Sequence, residues 1–127
     1  MEWTTPGSKY RNKPTVVDGI TFQSKKESDI YLNLKHLREV GEIHNFARQV
    51  PYELIPAQYV QKERPGKKGP VMKPVCVEKA VTYIADFVIT YPDGEQVVID
   101  AKGKRTKDYV IKRKLLRFQK GIAIKEV

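Results

Sequence analysis

Two runs rich in β-branched and aromatic residues, separated by a Pro-Asp-Gly break, constrain the fold of this chain more than any other feature. The runs are residues 83–91 and 95–103, and the break is residues 92–94. This pattern predicts a β-hairpin with a short turn. Residues 97–99 form an unbroken apolar stretch, which is typical of a strand covered on both faces. We therefore expect this hairpin to lie at the centre of the fold.

Three ionisable side chains interrupt the apolar pattern of this hairpin: Asp86 in the first strand, and Asp100 and Lys102 in the second. If the break forms a three-residue loop with its glycine left-handed, Asp86 faces Asp100, with their Cβ atoms about 5 Å apart. A two-residue loop would instead place Asp86 opposite Ala101. Because strand side chains alternate between faces, the three-residue loop puts all three ionisable groups on one face.

This charged group has two interpretations. Two carboxylates that close repel each other unless a cation lies between them, and oxygen ligands suit Mg²⁺. Lys102 beside them could lower the pKa of a water or stabilise a developing anion, which predicts a hydrolytic site for a phosphodiester. Alternatively, Asp86 is a strand-end residue, and Asp100 and Lys102 form a solvated pair. The mid-strand position of Asp86 and the apolar run before Asp100 favour the first interpretation, because buried charges need partners.

The positive charge of the chain is concentrated near its C-terminus. The net charge is +9, and residues 101–125 hold ten Lys and Arg but one acid. Such clustering favours a polyanion, with nucleic acid ahead of an anionic membrane, although an inert basic surface is the alternative. No apolar run approaches the roughly 18 residues of a membrane span, and the N-terminus lacks a secretory pattern. The single cysteine fits a reducing compartment. We expect a cytoplasmic protein with no membrane partner.

A first helix is expected to begin after Ser24 and to end at Gly41. Ser24 and Glu27 have the spacing of a capping box, and apolar residues follow at helical intervals. Glu27 has two interpretations. It caps its own helix, or it points at the sheet and adds a third carboxylate to the site.

A second helix is expected between Thr106, as N-cap, and Gly121. Ile111, Leu115 and Phe118 have the spacing of an inward stripe. A loosely alternating last strand follows this helix.

The chain is expected to form one domain, residues 14–127, after a flexible N-terminal arm, residues 1–13. An Asp-Gly pair at residues 18–19 predicts an N-terminal β-hairpin. Residues 57–74 contain a Pro-Gly-Lys-Lys-Gly-Pro sequence and are predicted to be a mobile basic loop. This loop is either an arm that follows a phosphate backbone or a solvated loop without a ligand.

The ordered set of Glu27 on a helix, Asp86 on one strand and Asp100-x-Lys102 on the next resembles the PD-(D/E)xK nuclease superfamily. The local sequences of residues 17–27, 83–87 and 100–103 resemble a family of small phage-encoded proteins within it. Related superfamily members include Holliday-junction resolvases of the endonuclease I type. This chain has Asp100 where many members have Glu, and Ala85 rather than Pro before Asp86.

The resemblance implies an α/β (α+β) fold: a central mixed β-sheet flanked by helices, with an αβββαβ core after the N-terminal hairpin. It also implies an endonuclease that uses Mg²⁺ or Mn²⁺ on branched DNA in phage recombination. Such an enzyme would act as a homodimer in the cytoplasm of the bacterial host, since resolving a junction needs two cuts. The alternatives are a nucleic-acid-binding protein without catalysis, and a phage accessory protein that binds another protein.

The resemblance also implies a role for each site residue. Asp86 and Asp100 would bind the metal, with the Ala101 carbonyl as a further ligand. Glu27 would hold a water on the metal or a second ion, and Lys102 would orient or help to deprotonate the attacking water. Basic side chains would hold the DNA backbone without reading its sequence: Lys104, Arg105, Lys107, Lys112, Lys114, Lys67 and Lys68.

Overall fold

A computed structural model of the chain describes residues 13–101 and 105–127. The predicted N-terminal arm, except for Lys13, and the side chains of Lys102 and Lys104 lie outside these ranges. Within them, eight strands and two helices follow in this order: β1 (Thr15–Val17), β2 (Ile20–Phe22), α1 (Lys25–Glu39), β3 (Asn45–Ile55), β4 (Gln58–Arg64), β5 (Val71–Glu78), β6 (Val81–Thr90), β7 (Gln96–Asp100), α2 (Lys107–Lys120) and β8 (Ile124–Glu126).

The central sheet has the strand order β3-β6-β7-β8. Its first three strands are antiparallel neighbours, while β8 runs parallel to β7 after the crossover through α2. Strands β1 and β2 form the N-terminal hairpin, whose turn residues Asp18 and Gly19 have φ of 53° and 75°. The α+β prediction is confirmed: α1, the three antiparallel strands of the central sheet, α2 and the last strand give the αβββαβ order, with the β4–β5 pair inserted between β3 and β6.

The buried apolar residues form two clusters, one associated with each helix. The first packs α1 against the N-terminal hairpin and the turn end of the β6–β7 hairpin; its buried members are Phe22, Leu34, Ile43, Phe87, Ile89 and Ile99. The second packs α2 against the sheet; its buried members are Leu54, Tyr83, Ala85, Val88, Val98 and Leu116. The central hairpin contributes to both clusters, as expected for strands covered on both faces.

Both helices begin and end where the sequence predicts. The Ser24 side chain accepts a hydrogen bond from the Glu27 backbone N at 3.2 Å, and that of Thr106 from the Tyr109 N at 3.1 Å. Gly121 closes α2 in the left-handed conformation, with φ of 68°. These caps satisfy backbone groups that have no partner within the helix. Among residues 13–101 and 105–127, no helix is long and apolar enough to cross a membrane.

The predicted inward stripe of α2 is wrong at two of its three residues, while the third, Leu115, packs partly buried against the second cluster. Ile111 is 56% exposed and Phe118 is 88% exposed, whereas Leu116 is fully buried. The face towards the sheet carries Tyr109, Arg113 and Leu116, at spacings of four and three residues. Because two of its three members are polar, hydrophobic periodicity does not reveal this face.

These polar side chains face inward because they bind a carboxylate on β8. The Tyr109 hydroxyl donates to Glu126 Oε2 at 2.6 Å, and Arg113 Nη1 donates to the same oxygen at 3.3 Å. Arg105 forms an ion pair with Glu126 Oε1. The hydrogen bond from Tyr109, together with the two arginines, lowers the pKa of Glu126. Glu126 therefore connects the last strand to α2 and to the segment before it.

The prediction of a loop at residues 57–74 is wrong. Strands β4 and β5 pair as an antiparallel two-stranded ribbon, with Lys62 opposite Lys73 and Arg64 opposite Val71. The chain reverses in a turn in which Gly69 N donates to Gly66 O at 3.3 Å. Both faces of this ribbon are largely exposed, so its strands lack the hydrophobic alternation by which strands are usually recognised.

The burial of α2 can be tested by truncating one inward and one outward side chain. Leu116→Ala should lower the free energy of unfolding by about 2–5 kcal/mol, because it leaves a cavity in a closely packed cluster. Phe118→Ala should change it by no more than about 0.5 kcal/mol, because the ring is exposed. Urea unfolding of both variants measures the difference. A larger loss for Phe118→Ala would contradict the orientation of this helix.

The ties to Glu126 should make folding stability depend on pH. A carboxyl group whose pKa is lowered on folding stabilises the folded state above its ordinary pKa, about 4.3 for Glu. This stabilisation is lost as the pH falls through the lower folded-state pKa. Glu126→Gln should therefore be less stable than the wild type at pH 7, and the gap should narrow below about pH 4. Thermal unfolding from pH 7 to pH 3 tests this, with the exposed Glu53→Gln as control. A gap that does not change with pH would contradict it.

Candidate active site

The turn between β6 and β7 sets which residues of the two strands face each other. Tyr91 N donates to Glu95 O at 2.8 Å, and Gly94 N donates to Tyr91 O at 2.9 Å. Gly94 has φ of 91°, which confirms the three-residue loop with a left-handed glycine. The ladder continues to Phe87 opposite Ile99. One further step in the same register places Asp86 opposite Asp100.

Both aspartates are buried at the point where β6 and β7 stop pairing. Asp86 is 1% exposed and Asp100 is 2% exposed. Asp86 Oδ2 accepts a hydrogen bond from the Ala101 backbone N at 2.7 Å. The carboxylate thus takes the place of a strand carbonyl as partner of that amide. A hydrogen bond to an ionised acceptor is about twice as strong as a neutral one, so it fixes Asp86 firmly against the neighbouring strand.

Tyr83 is a site residue that the sequence analysis missed. Its hydroxyl donates to Asp100 Oδ2 at 2.8 Å in the protein interior. Burial raises the pKa of Tyr83, and the hydrogen bond to Asp100 and the negative charges of Asp100 and Asp86 raise it further. The phenol therefore stays protonated at any working pH. Because both carboxylates act on this one hydroxyl, the two aspartates and Tyr83 form one electrostatic unit.

A second layer of polar groups connects this unit to α2. The rings of Tyr83 and Tyr109 lie 6.2 Å apart between centroids, tilted by 52°. Burial raises the pKa of Tyr109, and its hydrogen bond to Glu126 and the negative charge of Asp100 raise it further. Glu126 lies beside Asp100 in the parallel pairing of β7 and β8. The two tyrosines therefore link the buried aspartates to the Glu126–arginine cluster.

Gln49 lies on β3, opposite Asp86 of β6, and has a strained backbone. Pairs on either side, Arg48 with Phe87 and Val50 with Ala85, place Gln49 opposite Asp86. Its φ is 52°, which is uncommon for a residue other than glycine and costs about 1–3 kcal/mol. Strain of this kind tends to persist where the surrounding structure enforces it, and it clusters at functional sites. The sequence carries no signal for this conformation.

The apolar neighbours of β6 also change at Asp86. Before it, Tyr83 and Ala85 belong to the α2 cluster; after it, Phe87 and Ile89 belong to the α1 cluster. These four residues have the same parity and would share one face of a regular strand. The change coincides with the strained Gln49 on the neighbouring strand. Asp86 therefore occupies an irregular position of the sheet rather than a place on either apolar face.

Glu27 is buried at the start of α1, but the structure does not assemble the three-carboxylate set that the resemblance implies. Its side chain is 6% exposed, and its backbone N is bound by the Ser24 cap. Within residues 13–101 and 105–127, no three His, Cys, Asp or Glu side chains are grouped so that they could hold a metal ion. The structure thus brings together Asp86, Asp100 and Ala101, and the carboxylate of Glu27 does not complete a triad with them.

The donors that remain still fit a hard cation. Two buried carboxylates on adjacent strands, with a backbone carbonyl at Ala101, are the oxygen ligands that Mg²⁺ and Mn²⁺ accept. The hydrogen bonds from Ala101 N and from the Tyr83 hydroxyl each use one oxygen lone pair. Outer partners of this kind orient ligands in metal sites. The fourth residue predicted for the site, Lys102, lies outside the described residues.

The predicted DNA-binding residues fall on two separate elements. Arg105 precedes α2 and is exposed, but its guanidinium is engaged by Glu126. On α2 itself, Lys107 and Lys114 are exposed and Lys112 is partly buried. Lys67 and Lys68 are exposed in the turn between β4 and β5. Lys104 lies outside the described ranges.

Comparison with known proteins gave one match. A search of curated proteins and a search of solved structures each found none. A family model described as "Protein of unknown function (DUF1064)" matches residues 7–125, which is nearly the whole chain. The matched range contains the central sheet except the last residue of β8, both helices, the buried aspartates and the β4–β5 ribbon. The chain therefore belongs to the DUF1064 family.

Proposed function

We propose that this protein is a divalent-metal-dependent DNA endonuclease, selective for branched DNA such as Holliday junctions, that acts in phage recombination. The observation that carries the proposal is the pair of buried aspartates on adjacent strands, Asp86 and Asp100. Burying a charge costs several kcal/mol in lost hydration, so a fold that needed only packing would not place two carboxylates face to face. A divalent cation between them removes that repulsion.

The arrangement of the chain around the aspartates also supports the proposal. The αβββαβ order agrees with the resemblance to PD-(D/E)xK nucleases, although a fold alone does not establish an activity. Helix α2 begins shortly after Asp100 and carries a strong surplus of positive charge. A DNA backbone held on this surface would lie close to the chain segment that carries the aspartates.

In this proposal each residue has a defined role. Asp86 and Asp100, with the Ala101 carbonyl, would hold Mg²⁺ or Mn²⁺. When bound, such an ion makes water a nucleophile near neutral pH and neutralises charge on the phosphate. Lys102 would orient the attacking water, and Glu27 would support that water from the start of α1. The Tyr83 hydroxyl would hold Asp100 in its binding orientation as a positioning residue. A homodimer would provide the two cuts that resolve a junction.

A nucleic-acid-binding protein without catalysis is the second candidate. One observation favours it: each buried aspartate accepts a hydrogen bond within the protein, Asp86 from Ala101 N and Asp100 from the Tyr83 hydroxyl. In that case the same basic surface would bind DNA, and the buried aspartates would serve only to organise the backbone at Ala101.

Asp86→Asn and Asp100→Asn test the metal site directly. Each removes one anionic ligand while the shape of the side chain is kept. Each should reduce Mg²⁺-dependent nicking of a four-way junction by at least about 1,000-fold, the equivalent of about 4 kcal/mol. Binding of the junction in EDTA should persist. In the wild type, Mn²⁺ should raise the melting temperature, and the two variants should lose this rise.

The matched control is Asp93→Asn, which makes the same chemical change at the exposed turn of the same hairpin. It should leave nicking and the Mn²⁺ effect unchanged. Full activity in Asp86→Asn and Asp100→Asn would remove these residues from the mechanism. Tight junction binding by the wild type, without nicking in Mg²⁺ or Mn²⁺, would favour the second candidate.

Tyr83→Phe tests the positioning role of the phenol. The change deletes the donor to Asp100 and keeps the ring, so the metal affinity should fall by about 10- to 100-fold, as for other partners of metal ligands. The midpoint of a Mn²⁺ titration, followed by melting temperature, measures this. Tyr52→Phe, its cross-strand neighbour on β3, is the control. If both variants bind Mn²⁺ as the wild type does, Tyr83 only packs the core.

A further inference from the structure

The β4–β5 ribbon has few contacts with the other elements of the described structure. Within the described residues, the extensive contacts of β4 and β5 are with each other. Fourteen of their fifteen residues are exposed, and Val75 is the exception. An isolated two-stranded hairpin is at best marginally stable in water. A ribbon that gains so little from packing is better explained by a surface that it binds.

The two faces of the ribbon differ in charge. One face carries Lys62, Arg64 and Lys73, because the first two alternate along β4 and Lys73 lies directly opposite Lys62. The other face carries Gln61 and Glu63 and has no basic residue from Tyr59 to Glu63. Like charges directly opposite each other destabilise a strand pair, so the Lys62–Lys73 pair works against the folding of the ribbon. An anion bound outside this face would remove that penalty.

The turn at the tip of the ribbon adds to the positive charge of the Lys62–Lys73 face. The turn from Gly66 to Gly69 places Lys67 and Lys68 at its two central positions. Gly66 has little space for a side chain, since an added Cβ would lie 2.6 Å from Gly69 O. The tight turn therefore holds two further cations at the end of an arm about 23 Å long, at roughly 3.3 Å per residue. In all, residues 58–78 carry five basic residues and two acids.

We propose that the Lys62–Lys73 face of the ribbon binds in the major groove of duplex DNA, with the Lys67–Lys68 tip on the backbone phosphates. The major groove is about 12 Å wide and accepts a two-stranded ribbon. Lysines that reach the backbone on both sides of the groove bind without reading sequence. The inference rests on the proposed function in taking DNA as the substrate. It identifies a double-stranded arm of the branched DNA as the part that the ribbon binds.

The edges of the ribbon oppose a second copy of the chain as the occupant. Pro74 lies within β5 and removes a backbone donor, and the register shifts between Gln58 and Tyr59 on β4. Proline, lysine and such irregularities are devices that protect edge strands against pairing with another chain. Two cationic faces would also repel each other.

The first test measures duplex binding as a function of salt in EDTA, where no cleavage occurs. The logarithm of the affinity falls with the logarithm of salt by about 0.9 per phosphate contact. Lys62→Gln/Lys73→Gln should therefore reduce the slope by about 2. The matched control, Lys13→Gln/Lys25→Gln, removes two exposed lysines outside the ribbon and should keep the wild-type slope. Both ribbon lysines are exposed, so the variant should fold.

The second test identifies the face that meets the DNA. Cys76 is the single cysteine, so Cys76→Ser allows one new thiol to be labelled with an azidophenacyl photocrosslinker. Lys62→Cys and Gln61→Cys place the label on opposite faces of the same strand. The label at position 62 should crosslink to duplex DNA several-fold more than the label at position 61. Equal or reversed yields would overturn the proposal.

The outcomes separate this inference from the proposed function. A steep salt slope in the wild type that is unchanged in Lys62→Gln/Lys73→Gln overturns the ribbon proposal alone. A reduced slope without metal-dependent nicking supports the ribbon and refutes the enzyme. A flat slope in the wild type removes DNA as the ligand and overturns both. Crosslinking of position 62 to a second protein copy in place of DNA assigns the ribbon to self-association and overturns the inference.

Discussion

The structure depends most on the hydrogen bond that joins Asp86 to the Ala101 amide. It allows β6 and β7 to stop pairing without leaving that amide unsatisfied, which would cost about 1–3 kcal/mol in the interior. It also fixes the Asp86 carboxylate next to Asp100. The Tyr83 hydroxyl does the same for Asp100 from the other direction. Two short contacts thus keep two anions inside a protein that would otherwise exclude them.

Those contacts depend in turn on the way the sheet is covered. Leu116 on α2 and Phe22 from the N-terminal hairpin are almost completely buried, each in a different apolar cluster. The central hairpin needs apolar side chains for both clusters, so its polar positions are few and specific. The irregularity at Gln49 and Asp86, where the neighbours of β6 change, provides one of these positions. The site therefore occurs at a discontinuity in the packing rather than on a regular face.

The sequence predicts local features well where one residue type has one physical use. The Pro-Asp-Gly turn set the hairpin register, and that register brought Asp86 and Asp100 together. Serine, threonine and glycine marked the helix ends in the same way. Prediction from the sequence failed where polar side chains are buried and apolar side chains are exposed. Tyr109 and Arg113 face inward because Glu126 binds them, so Leu116 was overlooked and Phe118 was placed inside. Tyr83 resembles any aromatic strand residue, and its hydrogen bond to Asp100 depends on a partner 17 positions away.

The position of the β4–β5 ribbon suggests how binding and chemistry could be separated in this fold. Strands β3 and β6 are direct neighbours in the sheet, and Ile55 pairs with Val81 at the base of the ribbon. The whole ribbon is therefore an insertion between two residues that pair with each other in the central sheet. Closing such a loop costs little more as it lengthens, since each doubling adds only about 0.6 kcal/mol. An arm can be enlarged, recharged or shortened there without disturbing the register that holds Asp86 and Asp100. Under the proposed function, selection for a different DNA shape would act on the ribbon while the buried aspartates stay in place.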